Sequence, residues 1–242
     1  MIDLFRSLFA PPRDFILVIA ALWIGLAFAE RRTARHGVSR DALNNLTFYA
    51  ILGYVIGGRL LFALTNYSAF VPSPLSIFSP NPELFDPIGA FVSAILVGII
   101  YGKHMTLPFW GTLDALTPIF AILAIGLHLS HLAAGTAFGS PTDLPWGTHL
   151  WNATRHPTQI YELIASLFIF GLLWFRKSDS PQGILFLNFV ALTAGSRLFL
   201  EAFRGDSTLV FGGLRIAQVV AWVVLAIALL ARELMQRKKQ AG

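Results

Sequence analysis

The chain has 242 residues, of which 55% are hydrophobic and only 13% are charged, and its mean hydropathy is +0.66. Soluble domains carry about a quarter charged residues, so this deficit points to a membrane protein, and the net charge of +5 reads as topology rather than nucleic-acid binding. With no cysteine present, disulfides, thiol catalysis by this chain and cysteine-based metal sites are excluded.

The first apolar run, FILVIAALWIGLAFA over 15–29, is followed by ERRTAR. A secretory signal carries its positive charges before the apolar region, so this run is expected to be retained as a helix. A spanning helix needs about 20 mostly apolar residues. Seven segments fit: 14–30, 43–64, 86–102, 112–134, 157–175, 182–203 and 211–231. The expected fold is all-α, a single polytopic transmembrane domain over 1–242, because no fixed-period repeat and no long linker divides it. The connection 65–84 is rich in Pro and Ser and holds no Lys or Arg, and the connection 136–155 is similarly rich in turn residues.

Positive charge is unevenly shared between the two sides. One side holds eleven Lys or Arg: Arg31, Arg32, Arg35, Arg40, Lys103, Arg176, Lys177, Arg232, Arg237, Lys238 and Lys239. The other holds five, Arg6, Arg13, Arg155, Arg204 and Arg215, while Arg59 and Arg197 fall within spans. The positive-inside rule then predicts an outside N-terminus and a cytoplasmic C-terminus, which requires an odd number of spans.

Ionisable groups within a span cost several kcal/mol and usually face the bundle interior or a wet cavity. Here they are Arg59, Asp114, Glu162, Arg197 and Glu201, with His128 and His131. Arg197, Glu201 and Arg204 in SRLFLEAFRGDS are spaced i, i+4, i+7, which predicts one shared helical face. His156, Gln159 and Glu162 in RHPTQIYE are spaced i, i+3, i+6 and are expected to share another. Arg59 follows Gly53, Gly57 and Gly58, where missing side chains let a neighbouring helix or a lipid approach closely. Arginine grips phosphate with a planar fork of donors, and a carboxylate beside it fixes that fork. The pattern therefore predicts an intramembrane site for an anionic ligand, most simply a phospholipid headgroup, with a small-anion or lipid transporter as the competing reading. Asp114 is expected at the cytoplasmic end of the fourth span, where the dipole of its own helix favours a carboxylate. His128 and His131, spaced i, i+3, permit metal binding, but without a carboxylate motif nearby in the sequence no metal is expected.

The stretch RHPTQIYE over 155–162 resembles the Arg-His-Pro-Ser-Gln-Leu-Tyr-Glu motif of the bacterial prolipoprotein diacylglyceryl transferases. Four further segments, ERRTARHGVSRDALNNLTFYAILGYVIGGRLLFAL, TLPFWGTLDALTP, GTAFGSPTDLPWG and GSRLFLEAFRGDS, are similar to segments of that family in the same order. The resemblance implies transfer of the diacylglyceryl group of phosphatidylglycerol to the lipobox cysteine thiol of a prolipoprotein, with release of glycerol phosphate. It implies the bacterial inner membrane, phosphatidylglycerol and a prolipoprotein signal peptide as partners, and no cofactor. A monomer without nucleic-acid partners is expected. Within it, His156, Glu162, Arg197 and Glu201 are the expected catalytic groups, and Arg59, Arg155, Gln159, Tyr161 and Arg204 the expected substrate-binding ones.

Two family motifs are absent. The family opens its third helix with Ser/Phe-His-Gly-Gly, whereas LFDPIGAFVSA here contains no histidine. Its Arg-Ile-Gly-Asn/Cys-Phe stretch corresponds here to HLSHLAAGTAFG, with His128 in place of the arginine. Asp86, His128 and His131 are the candidate substitutes. The alternative is a lipid-binding paralogue that lacks the reaction or acts on a different acceptor.

Overall fold

The computed structural model describes residues 2–79, 81, 83–176, 180–210 and 212–241. Lys177, one of the expected cytoplasmic charges, lies outside them. Nine α-helices are present among the described residues: α1 Ile2–Leu8, α2 Phe15–Glu30, α3 Arg40–Thr65, α4 Tyr67–Phe70, α5 Pro87–His104, α6 Phe109–Ala134, α7 Thr158–Phe175, α8 Ile184–Leu200 and α9 Ile216–Ala241. Two small antiparallel hairpins interrupt them, β1 Thr148–Leu150 with β2 Ala153–Arg155, and β3 Leu209–Val210 with β4 Leu214–Arg215.

The chain is an all-α polytopic membrane protein. Among the described residues, six helical stretches combine sufficient length and apolarity to cross a bilayer: α3, α5, α6, α7, Ile184–Phe203 and Ile216–Arg237. The first expected span, α2, is as apolar but only 16 residues long. At 1.5 Å per residue it measures about 24 Å, short of a hydrocarbon core of roughly 30 Å. The last helix begins at Ile216, whereas the expected span opens at 211, which lies outside the described residues. The reason is local: Gly212 and Gly213 adopt φ of 78° and 131°, and this left-handed backbone turns β3 back onto β4 before a helix can start.

Residues 33–112 form one compact unit, dominated by α3 against α5. The two helices approach until side chains at the crossing have no room. A Cβ on Gly57 would lie 2.0 Å from Ser93 Oγ and 3.0 Å from the Gly89 carbonyl oxygen. The glycines before Arg59 therefore admit a neighbouring helix, which decides between the two uses expected for them. Ser39 caps α3 by accepting from the Ala42 N–H at 3.1 Å, and Asp86 caps α5 by accepting from the Gly89 N–H at 2.6 Å.

Residues 1–32 and 113–242 form the other unit. In it α2 packs on α6, where a Cβ on Gly126 would fall 2.3 Å from Ala21 Cβ. Phe28 meets Phe170 and Trp174 of α7 edge-on, and the Arg32 guanidinium lies 3.7 Å over the Trp174 ring. Phe120 of α6 stacks on Phe189 of α8, and α8 packs along both α7 and α9.

Asp114 has a different role from the expected one. It is buried on α6, and its carboxylate accepts from the N–H groups of Gly183 and Phe186 at 2.6 and 2.8 Å. It caps the start of α8 rather than complementing the dipole of its own helix.

Candidate functional site

Three loops of the larger unit are joined by backbone hydrogen bonds. The Ser140 N–H donates to the Phe203 carbonyl at 2.8 Å, and the Gly205 N–H to the Phe138 carbonyl at 2.9 Å. From the other side the His156 N–H donates to the Ser140 carbonyl at 3.0 Å. Gly139 sits at the crossing, where a Cβ would lie 2.2 Å from the His156 carbonyl oxygen. This junction fixes the start of α7 and the exit of α8 against each other.

Within RHPTQIYE, much of the polarity serves this junction. Arg155 donates from Nε to the Leu150 carbonyl at 3.0 Å and from Nη1 to the Gly139 carbonyl at 3.2 Å. Thr158 Oγ1 donates to the Ala137 carbonyl at 2.7 Å, and Gln159 Nε2 to the Thr136 carbonyl at 2.8 Å. Both of these side chains are fully buried. Tyr161 accepts at its hydroxyl from Trp146 Nε1 at 2.8 Å. The helix begins only at Thr158, after Pro157, so His156 does not share the helical face expected for it with Gln159 and Glu162. Its ring lies 5.2 Å from Phe203 and 6.3 Å from Tyr161, with Nδ1 buried and without a hydrogen-bond partner among the described residues.

Glu162, in the first turns of α7, is the hub of an ionic cluster. Its Oε1 accepts from Arg197 Nη1 at 2.8 Å and from Arg204 Nη1 at 3.2 Å, and its Oε2 lies 3.3 Å from His128 Nδ1. Arg197 Nη2 pairs with Glu201 Oε2 at 2.8 Å. The two carboxylates are almost fully buried, 4% and 2% exposed at the side chain, whereas the Arg197 side chain keeps 35% of its surface. Arg197 is therefore anchored from within while part of its side chain stays accessible.

Arg204 reaches Glu162 from outside α8. The helix ends at Leu200, a 3-10 turn covers Glu201–Phe203, and Arg204 is extended with φ −72° and ψ 139°. The single helical face expected for Arg197, Glu201 and Arg204 is thus broken at its third member. Arg204 grips Asp206 bidentately, Nε to Oδ1 at 2.7 Å and Nη2 to Oδ2 at 2.9 Å. Burial alone would lower its pKa, but the hydrogen bond to Asp206 and the charges of Glu162, Asp206 and Glu201 outweigh this and raise it.

Asp206, Ser207 and Arg215 belong to the same network although the sequence patterns pass over them. Ser207 Oγ donates to Glu201 Oε1 at 2.7 Å. Arg215 donates to the Glu201 carbonyl, to the Arg204 carbonyl at 2.8 Å and to Ser207 Oγ at 3.0 Å. The advance signal for Asp206 and Ser207 is the polarity of RGDS directly after an apolar helix, and Arg215 stands out only as one of the outside positive charges.

His131 faces His128 with ring centroids 6.0 Å apart, and its Nδ1 is buried without a hydrogen-bond partner among the described residues. His128, His131 and Glu162 each bring a ligand atom within 4.8 Å of the others, a spacing that a cation can use. The carboxylate missing from the local sequence is supplied by α7. Two guanidinium groups on that same carboxylate place fixed positive charge there and oppose a divalent cation.

Arg59 and Asp86 belong to the smaller unit. Arg59 Nη1 donates to the Leu84 carbonyl at 2.8 Å, and the Asp86 carboxylate is occupied in part by capping α5.

Comparison with known proteins gives one consistent answer. The family model described as prolipoprotein diacylglyceryl transferase matches residues 15–232. A protein of Nostoc sp. named phosphatidylglycerol–prolipoprotein diacylglyceryl transferase is 31% identical over 232 residues, covering 88% of this chain and 81% of its own length. Proteins of the same name from Clostridioides difficile and Methylococcus capsulatus are 29% and 28% identical, over 93% and 92% of this chain and 91% and 90% of their own.

Proposed function

The chain belongs to the prolipoprotein diacylglyceryl transferase family, and we propose that it transfers the diacylglyceryl group of phosphatidylglycerol to the cysteine thiol of a prolipoprotein. The observation that carries this reading is Arg197: a part-exposed side chain whose guanidinium is held between two buried carboxylates, Glu162 and Glu201, at a helix end in a membrane protein. Such a group is positioned to meet phosphate without the cost of organising itself first.

The reaction requires a thiol to lose its proton and its sulfur to form a bond to a glycerol carbon. The carbon–oxygen bond to phosphate breaks, and the electron pair leaves with glycerol phosphate. Arg197, with Arg204 behind it, compensates the charge that gathers on the departing phosphate. Glu162 holds both guanidinium groups in place. To His128, whose Nδ1 lies 3.3 Å from Glu162 Oε2, we assign the acceptance of the thiol proton. Arg155 and Gln159 act by holding the loop over 136–139, which forms a wall beside the cluster. The chain has no cysteine, in keeping with a nucleophile supplied by the acceptor.

We further propose a monomer in the bacterial inner membrane with its N-terminus outside, which puts RHPTQIYE at the outer surface; the eleven-to-five charge asymmetry supports this orientation. The test is expression in cells depleted of their own transferase. Appearance of mature, diacylglyceryl-modified lipoprotein is the expected result. Correct insertion with no modified lipoprotein would instead favour a lipid-binding paralogue.

A further inference from the structure

The half of α7, α8 and α9 away from Glu162 encloses an open groove of about 930 Å³. Its walls are apolar, with Leu172 from α7, Leu192 from α8 and Leu225 and Leu229 from α9. Its rim is not, since Arg176 and Arg232 both line it. Arg176 follows Glu162 by fourteen positions, about 21 Å along a helix at 1.5 Å per residue, which places it near the opposite membrane surface.

Two donors in this lining are left over. Asn188 is 7% exposed, and its Nδ2 is buried without a hydrogen-bond partner among the described residues. Arg232 Nε is likewise buried and without a partner. The neighbouring Glu233 does not neutralise Arg232, because it is exposed and pairs with Arg237 at 2.9 Å. A buried amide donor and a buried guanidinium donor without acceptors cost free energy unless something accepts from them. Apolar walls three helices deep call for hydrocarbon, and two arginines at one end call for an anion.

We propose that this groove is a binding site for an anionic glycerophospholipid of the leaflet facing away from Glu162. The acyl chains lie along α7–α9, the phosphate meets Arg176 and Arg232, and an ester or phosphate oxygen accepts from Asn188. The site is separate from the Glu162 cluster and does not depend on the proposed transferase activity.

The experiment uses the purified full chain in a neutral detergent, exchanged against phosphatidylglycerol or phosphatidylcholine, with bound lipid counted by native mass spectrometry. Two variants probe the groove independently. The double variant Arg176→Gln/Arg232→Gln removes the charge. Gly171→Phe fills the apolar part, because Gly171 lines the groove and a Cβ there meets nothing within 4 Å. It therefore keeps the test open should the double variant fold poorly. Each variant is expected to retain one phosphatidylglycerol fewer than wild type, and the charge variant to bind it at least tenfold more weakly. Phosphatidylcholine is not expected to fill the site in wild type. Equal retention of phosphatidylglycerol by wild type and both variants overturns the proposal, as does equal retention of phosphatidylcholine. A dimer lost in Gly171→Phe without loss of lipid overturns it in favour of a second copy of the chain.

Discussion

Asp114 and Gly183 meet across 69 positions of sequence: the Asp114 carboxylate accepts from the Gly183 N–H at 2.6 Å. Gly183 is the N-cap of α8 with φ of 92°, a left-handed conformation that suits glycine and leaves no side chain for capping. The cap is supplied by the neighbouring helix α6 instead. This contact helps to set where α8 begins, and hence where Arg197 and Glu201 come to lie at its far end.

Asp114→Ala is accordingly expected to destabilise the protein by about 2–4 kcal/mol, since one buried and one part-buried N–H group lose a charged acceptor. Asp114→Asn keeps one carbonyl acceptor and should lose roughly half as much. Thermal unfolding in detergent measures both. An unchanged midpoint for Asp114→Ala would mean that α8 is positioned by packing alone.

The crossing of α3 and α5 yields a second prediction. A Cβ on Gly57 would sit 2.0 Å from Ser93 Oγ and 2.2 Å from Ser93 Cβ, so even Gly57→Ala forces the helices apart. Small-to-large changes in tight packing cost about 1–3 kcal/mol. Gly57→Val should sharply reduce the monodisperse fraction in size-exclusion chromatography. Gly98→Ala, on α5 where a Cβ meets nothing within 4 Å, is the control and should match wild type.

Much of the fold is legible in the sequence because the bilayer demands long apolar runs, and those runs stand out in a chain that is 13% charged. The short α2 and the β3–β4 hairpin are less legible. Apolar composition continues through both, while helix length and the φ of Gly212 and Gly213 do not show in composition. The site divides in the same way. Spacing can place Arg197 and Glu201 one turn apart, as they are, but it assumes that the helix continues to Arg204, and the helix ends at Leu200. The contacts that join Glu162 to Arg197, Arg204 and His128 link three segments distant in sequence. Local periodicity has no means of expressing them.

Arg197 offers the most direct test of phosphate binding. Its guanidinium pairs with two different carboxylates through two nitrogens, 2.8 Å to each, which a lysine ammonium cannot reproduce with the same planar fork. Arg197→Ala is expected to abolish phosphatidylglycerol binding, at a cost of about 2–5 kcal/mol for an uncompensated charge. Glu162 would keep Arg204 and His128, so the variant should still insert and fold. Arg197→Lys should bind with intermediate affinity. Lipid binding to purified protein, compared across the three, decides the matter: equal binding would reduce Arg197 to a structural partner of Glu201.

His128 separates binding from chemistry. Its Nδ1 lies 3.3 Å from Glu162 Oε2, beside a buried carboxylate. A histidine beside a buried carboxylate has the makings of a general base, whose removal lowers rates by about 10²–10⁴-fold. His128→Ala should therefore lower turnover by this order while phosphatidylglycerol affinity stays near that of wild type. His131→Ala should have a smaller effect, because His131 borders the cluster through His128, with ring centroids 6.0 Å apart. Turnover is read as diacylglyceryl transfer to a lipobox peptide, and affinity from lipid binding in the same preparation. If His128→Ala loses affinity and turnover in equal measure, His128 belongs to the lipid site. If neither changes, the proton is taken by another group, and the contact with Glu162 only positions the carboxylate between Arg197 and Arg204.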